Sequence, residues 1–297
     1  MKISATWVAL SVALALQGAG STFAAGTATS APAAVISQRH AIPLTIRNTV
    51  IGEGTPKIIV STTGATDEQV MAQARVIGSN PNADLLEYRI DYLNFATDPA
   101  KVAALGRQIV SVIHGKPLIL TFRTRAEGGV KTISDRAYAD LYLALIKDHF
   151  IDILDVEMFR QPALVKEIVS AAHKAGIKVV MSSHDFNKTP DTRVLVERLR
   201  QQDAMGADIL KIATMPHNPG DVLKLLTATS EIREKYSQKP LLTMAMGGLG
   251  SITRLSGQVF GDDLTFGMIG VPSAPGQVDV QAMHQVLETI NRAVTGH

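Results

Sequence analysis

From Lys57 onward the chain alternates short apolar runs rich in β-forming residues with longer stretches whose apolar positions recur at helical spacing, and the alternation repeats eight times. The strand candidates are residues 57–63, 83–90, 117–123, 152–157, 177–183, 208–214, 240–246 and 264–270. Thr66, Ser134 and Asp191 stand where helix N-caps belong, and Gly176 and Gly206 end two helical stretches just before the next strand. Eight such units predict an α/β fold, a single (β/α)8 barrel. An open doubly wound sheet is the rival, but no Gly-x-Gly-x-x-Gly follows the first strand. Residues 42–54, ending in Gly52-Glu53-Gly54, predict a short N-terminal β-hairpin that closes the bottom of the barrel.

The segment before this pattern is different. Lys2 precedes an almost wholly apolar run, residues 3–16, with small residues around 21–25. That run is shorter than a spanning helix needs, so residues 1–24 are expected to be a signal peptide, cleaved to give a periplasmic protein without a stable membrane anchor. Residues 25–45 are expected to be a linker and N-terminal extension, and 46–297 the barrel domain.

Composition narrows the function. The formal charge of +2 is spread along 297 residues, with no basic run or basic stripe interleaved with aromatics, which argues against nucleic acid as a partner. There is no cysteine, so an oxidising compartment could not scramble the fold.

In a barrel of this kind the chemistry belongs at the C-terminal ends of the strands. The second strand ends Glu87-Tyr88-Arg89-Ile90-Asp91, and alternation sends its three charged residues to one face; Arg123 closes the third strand. Either these charges form structural ion pairs or they face a polar ligand. Lys211 is the lysine set in the middle of an apolar strand. Burial, with Arg89 or Arg123 as cationic neighbours, is expected to lower its pKa and free the amine to attack a ketone as a Schiff-base nucleophile; a snorkelling lysine is the plain alternative. His184 follows the fifth strand, next door to Lys211, and is the candidate proton-transfer group. His217 sits between Pro216 and Pro219 and reads as a solvated loop residue. No histidine and carboxylate set has metal-ligand spacing. Gly247-Gly248-Leu249-Gly250-Ser251 leads into a helix carrying Arg254, a candidate carboxylate partner, and 271–277 reads as a lid loop.

Glu87-Tyr88-Arg89-Ile90-Asp91, Thr121-Phe122-Arg123 with Glu127-Gly128-Gly129, Ser183-His184-Asp185-Phe186, Lys211-Ile212-Ala213 and Ser273-Ala274-Pro275-Gly276-Gln277 together resemble type I 3-dehydroquinate dehydratase. The resemblance implies a cofactor-free, metal-free lyase that dehydrates 3-dehydroquinate to 3-dehydroshikimate through a Schiff base on Lys211. His184 would move the proton and Glu127 would orient His184. Ser61, Glu87, Arg89, Arg123, Arg254, Ser273 and Gln277 would hold the small-molecule substrate. The resemblance also implies a homodimer, and with export it suggests a role in quinate catabolism. The alternatives are a Schiff-base aldolase and an exported solute-binding barrel that has lost catalysis.

Overall fold

A computed structural model describes residues 40–296. The expected signal peptide, and the linker as far as residue 39, lie outside the described residues. The barrel is built from β3 (Lys57–Ser61), β4 (Leu85–Arg89), β5 (Leu118–Thr121), β6 (Ile153–Glu157), β7 (Lys178–Asp185), β8 (Ile209–Thr214), β9 (Leu241–Ala245) and β10 (Leu264–Met268). These eight parallel strands overlap the eight expected ones. They alternate with α1 (Asp67–Ser79), α2 (Pro99–Val112), α3 (Asp135–Leu145), α4 (Pro162–Lys174), α5 (Thr192–Ala204), α6 (Pro219–Lys235), α7 (Gly247–Ser256) and α8 (Val280–Thr295). Thr66 and Ser134 cap α1 and α3 by accepting from the N–H three residues on, while Asp191 occupies the cap of α5 without such a bond. The run Gly247-Gly248-Leu249-Gly250 does not lead into α7 but forms its first turn.

A hairpin precedes the barrel. Strands β1 (Leu44–Ile46) and β2 (Thr49–Ile51) pair antiparallel, so Leu44 and Thr45, read from the sequence as the end of a linker, already belong to it. Ile46 and Ile51 join one buried apolar cluster with Ile59, Leu85, Ile119, Ile153, Val180, Ile209, Leu242 and Leu264, an inward residue from each of the eight barrel strands. An apolar plug therefore fills the N-terminal mouth, and function is left to the other end.

The wall has one seam. The backbone ladder runs from β10 through β3 and on to β9, but β9 and β10 are not paired with each other. Across the gap one backbone bond remains, from the Asp263 N–H to the Leu241 carbonyl (2.9 Å), and two carboxylates take strand amides: the Leu241 N–H donates to Asp263 Oδ2 (2.8 Å) and the Thr243 N–H to Asp262 Oδ1 (2.7 Å). Arg233, buried on α6, pairs with Asp263 at 2.5 Å. At the upper end the short strand β11 (Val278–Asp279) adds to the free edge of β10.

Candidate active site

Alternation on the barrel strands decides what faces the interior. Two residues above the aliphatic layer stand Ser61, Glu87, Thr121, Asp155, Ser182 and Lys211 on β3 to β8, with Met244 and Phe266 on β9 and β10. One step further come Arg89, Glu157 and His184, with Arg123 just past the end of β5. Of these, Glu87, Arg89, Arg123, His184, Lys211, Met244 and Phe266 line a cavity at the C-terminal mouth. Of the residues expected to act on or hold the substrate, all but Ser61 line this cavity, while Asp91 lies outside its lining and pairs with Arg89. Ser61 reaches it indirectly, donating to Glu87 Oε2 (2.5 Å) and accepting from Ser273 Oγ (3.0 Å).

Lys211 is buried, with Nζ 2.7 Å from Asp155 Oδ2, 4.0 Å from Glu87 Oε1 and 4.8 Å from the centre of the Phe266 ring. The expected cationic neighbours are present but already engaged. Arg89 forms a bidentate pair with Asp91 at 2.8 and 2.9 Å, and Arg123 contacts Asp155, Glu157 and Glu127 at 2.6, 3.0 and 3.3 Å. The charge nearest Lys211 is thus a carboxylate rather than a guanidinium. Asp155, which sequence reasoning passed over, bridges Lys211, Arg123 and Ser182 (2.6 Å). Burial alone would raise its pKa, but the charges of Arg123 and Lys211 outweigh burial and hold the carboxyl well below the ordinary range. Its signal was available: Ile153-Leu154-Asp155-Val156-Glu157 alternates as the strand of Glu87 and Arg89 does.

His184 falls inside β7, which is longer than expected, and its Nδ1 is 2.9 Å from Glu127 Oε2. Burial first, then the charges of Arg123 and Lys211, push the imidazole well below its usual pKa, so the ring is neutral at pH 7. Burial likewise pushes the Glu127 carboxyl up to about 8; Arg123 opposes this, and Glu157 and Asp155 reinforce it. Glu127 is carried by the turn Arg125–Glu127 and followed by Gly128 at φ +86°. A Cβ on Gly128 would fall about 2.1 Å from the Phe186 ring, so glycine is what lets that ring seat against the turn beside His184.

Arg254 is buried on α7 with no carboxylate partner among the described residues. Its NH2 donates to the Pro275 carbonyl (3.3 Å), NH1 meets Met244 Sδ (3.5 Å), and Nε has no partner. Burial lowers its pKa to about 10. A guanidinium held dry beside a cavity is a ready site for a ligand anion. The lid residues fold over the same side: Gln277 donates to Ser273 Oγ (3.0 Å), and Gly276 lies against Gly247, where a Cβ would come about 2.2 Å from the carbonyl.

His217 lies outside this cavity, with Nε2 2.6 Å from the Asn187 carbonyl. No group of three or more His, Asp or Glu among the described residues is arranged to hold a metal ion.

The site therefore combines a buried amine, an imidazole and carboxylate pair, and an unpaired guanidinium, which suits proton transfer and covalent chemistry on a small anionic carbonyl compound. A family model described as Type I 3-dehydroquinase matches residues 58–293. The chain is 48% identical over 245 residues to the catabolic 3-dehydroquinate dehydratase of Acinetobacter baylyi, covering 82% of this chain and 90% of the relative. It is 43% identical over 250 residues to the 3-dehydroquinate dehydratase of Enterococcus faecalis, covering 84% and 98%. Among solved structures it resembles the type I 3-dehydroquinate dehydratase of Clostridium difficile, with TM-score 0.81 and 38% identity over 85% of this chain and 99% of that one.

Proposed function

The chain belongs to the type I 3-dehydroquinase family, and from that premise we propose that it dehydrates 3-dehydroquinate through an imine on Lys211, as an exported catabolic enzyme. The carrying observation is the meeting of Lys211, His184 and Arg254 in one cavity. Lys211 Nζ adds to the C3 ketone, and loss of water leaves an iminium that can accept electrons. His184 takes a proton from C2 to give the enamine. The enamine expels the C1 hydroxyl, protonated by His184, as water, and hydrolysis of the imine releases 3-dehydroshikimate and restores the amine.

Glu127 sets which nitrogen of His184 is free. As a carboxylate it accepts from Nδ1–H and leaves Nε2 as the base. Arg254 receives the substrate carboxylate, and Glu87, Arg89, Arg123, Ser61, Ser273 and Gln277 serve its hydroxyls and close the lid. The catabolic name of the Acinetobacter baylyi relative supports the catabolic reading. Export is supported by Lys2 and the apolar run after it.

The test is incubation with 3-dehydroquinate and borohydride, then peptide mass analysis, with enone absorbance followed in parallel without reductant. An adduct on Lys211 and rising absorbance are expected, and the absence of both rejects the reading. Cell fractionation decides export: activity confined to the cytoplasm, on a chain that keeps residues 1–24, rejects it. Sedimentation of the purified enzyme tests the expected homodimer.

A further inference from the structure

Gln202 is a polar residue in an apolar place. It lies on α5, whose other buried residues, Leu195, Val196 and Leu199, are aliphatic, and its side chain is fully buried. Its amide makes both of its short hydrogen bonds to one residue: Oε1 accepts from the Lys211 N–H (2.9 Å), and Nε2 donates to the Lys211 carbonyl (2.8 Å). Nε2 also faces Met158 Sδ at 3.5 Å. An amide buried this deeply is destabilising unless its groups are satisfied, whereas an aliphatic side chain in the same space would carry no such penalty.

Helix α5 covers the outside of the barrel wall, while the Lys211 side chain enters the cavity on the inside. The amide thus grips the peptide of the lysine, and Asp155 holds its far end at 2.7 Å. A long side chain magnifies at its tip any rotation of its backbone. Fixing that backbone is therefore an economical way to fix Nζ.

We propose that Gln202 is a positioning residue for the imine-forming step: it holds the Lys211 peptide so that Nζ meets the substrate carbonyl at attack distance. The inference rests on Lys211 being the residue that forms the imine. Gln202 touches no substrate, and its effect passes wholly through Lys211.

The test compares wild-type enzyme with Q202M, which keeps the length of the side chain and removes both bonds, and with Q202E, whose acid burial keeps protonated and able to repeat both bonds. Three quantities are read: the single-turnover rate at which borohydride traps the adduct on Lys211, the affinity for the substrate analogue bearing an alcohol at C3, and the thermal midpoint. For Q202M the trapping rate is expected to fall about 10- to 100-fold, the scale expected of roughly 1 Å of misplacement. Affinity for the alcohol, which cannot form an imine, stays within about twofold because the pocket itself is intact. Q202E is expected to recover most of the rate.

A lowered thermal midpoint with trapping at the wild-type rate overturns the proposal, because a merely structural glutamine would behave so. If Q202M does not fold, Gln202→Asn takes its place: its amide is too short to reach both groups, slowed trapping is expected, and an unchanged rate overturns the proposal. An adduct absent from Lys211 in the wild-type enzyme rejects the imine reading, and this inference with it; a wild-type adduct on Lys211 with fast trapping in the variants rejects this inference alone.

Discussion

The lower layer of the barrel interior is Ile59, Leu85, Ile119, Ile153, Val180, Ile209, Leu242 and Leu264; two residues further along the same strands the upper layer is Ser61, Glu87, Thr121, Asp155, Ser182, Lys211, Met244 and Phe266. The backbone is the same for both, so the contrast is one of side chains and their solvation. The lower layer is sealed by Ile46 and Ile51 and needs no partners. The upper layer buries acids and bases that are tolerable only because they neutralise one another, as Asp155 does for Arg123 and Lys211. Where β9 and β10 supply Met244 and Phe266 instead, neutralisation stops and Arg254 stands without an acid. The lower layer holds by burial alone, whereas the upper layer holds by mutual neutralisation and carries the reactive groups, within two residues.

The largest expected effect lies in the upper layer alone. His184→Ala lowers kcat by about 10²- to 10⁴-fold, the usual contribution of a positioned acid or base, with the unfolding midpoint little changed. Steady-state kinetics beside denaturant unfolding would show this, and a parallel loss of stability would blur the division between layers.

Asp155→Ala is next. It leaves buried cations uncompensated and is expected to cost about 3–5 kcal/mol in urea unfolding. Ile153→Val, one layer below on the same strand, is expected to cost only about 0.5–1.5 kcal/mol. Equal costs would mean that the charges are not coupled as their distances indicate.

Arg254→Met works in the opposite direction. Removing a buried cation that has no acid is expected to raise the unfolding free energy by about 1–4 kcal/mol while KM for 3-dehydroquinate increases. A destabilised variant would show that Arg254 supports the fold after all.

The smallest effect is a pH limb. The form with a Glu127 carboxylate and a neutral His184 accumulates as pH rises through about 8, so kcat/KM rises there, and Glu127→Gln loses that limb. For stability the sign is reversed. The folded pKa lies above the ordinary 4.5, so the contribution of this group is complete below about 4.5 and is lost as pH rises through about 8.

Much of this division was legible in the sequence, because strand alternation is a property of the chain itself. The eight strands, the hairpin, Lys211, His184, Glu87, Arg89 and Arg123 follow from period and position. Glu127 and Ser61 were reached only through family resemblance, since each looks like an ordinary polar residue until the fold sets Glu127 beside His184 and Ser61 beside Glu87. Asp155 obeyed the same alternation and was overlooked. Gln202 was not legible at all: in Arg198-Leu199-Arg200-Gln201-Gln202-Asp203 either glutamine suits a helix surface, and only the rotation of α5 against the wall buries the second.

The seam between β9 and β10 makes the wall a strip with two ends rather than a true ring. Inside the strip most mid-strand amides are held by a neighbouring backbone, which yields only when strands part, while at its lower rim the Ile58, Leu118 and Val179 amides are held by the carboxylates of Asp84, Asp152 and Asp208. At the ends, the Leu241 and Thr243 amides are held by the carboxylates of Asp263 and Asp262, which a side-chain rotation can release. Thr243 is held so in mid-strand, and deuterium should therefore reach it before the mid-strand amides of β5 and β6, on the far side of the strip.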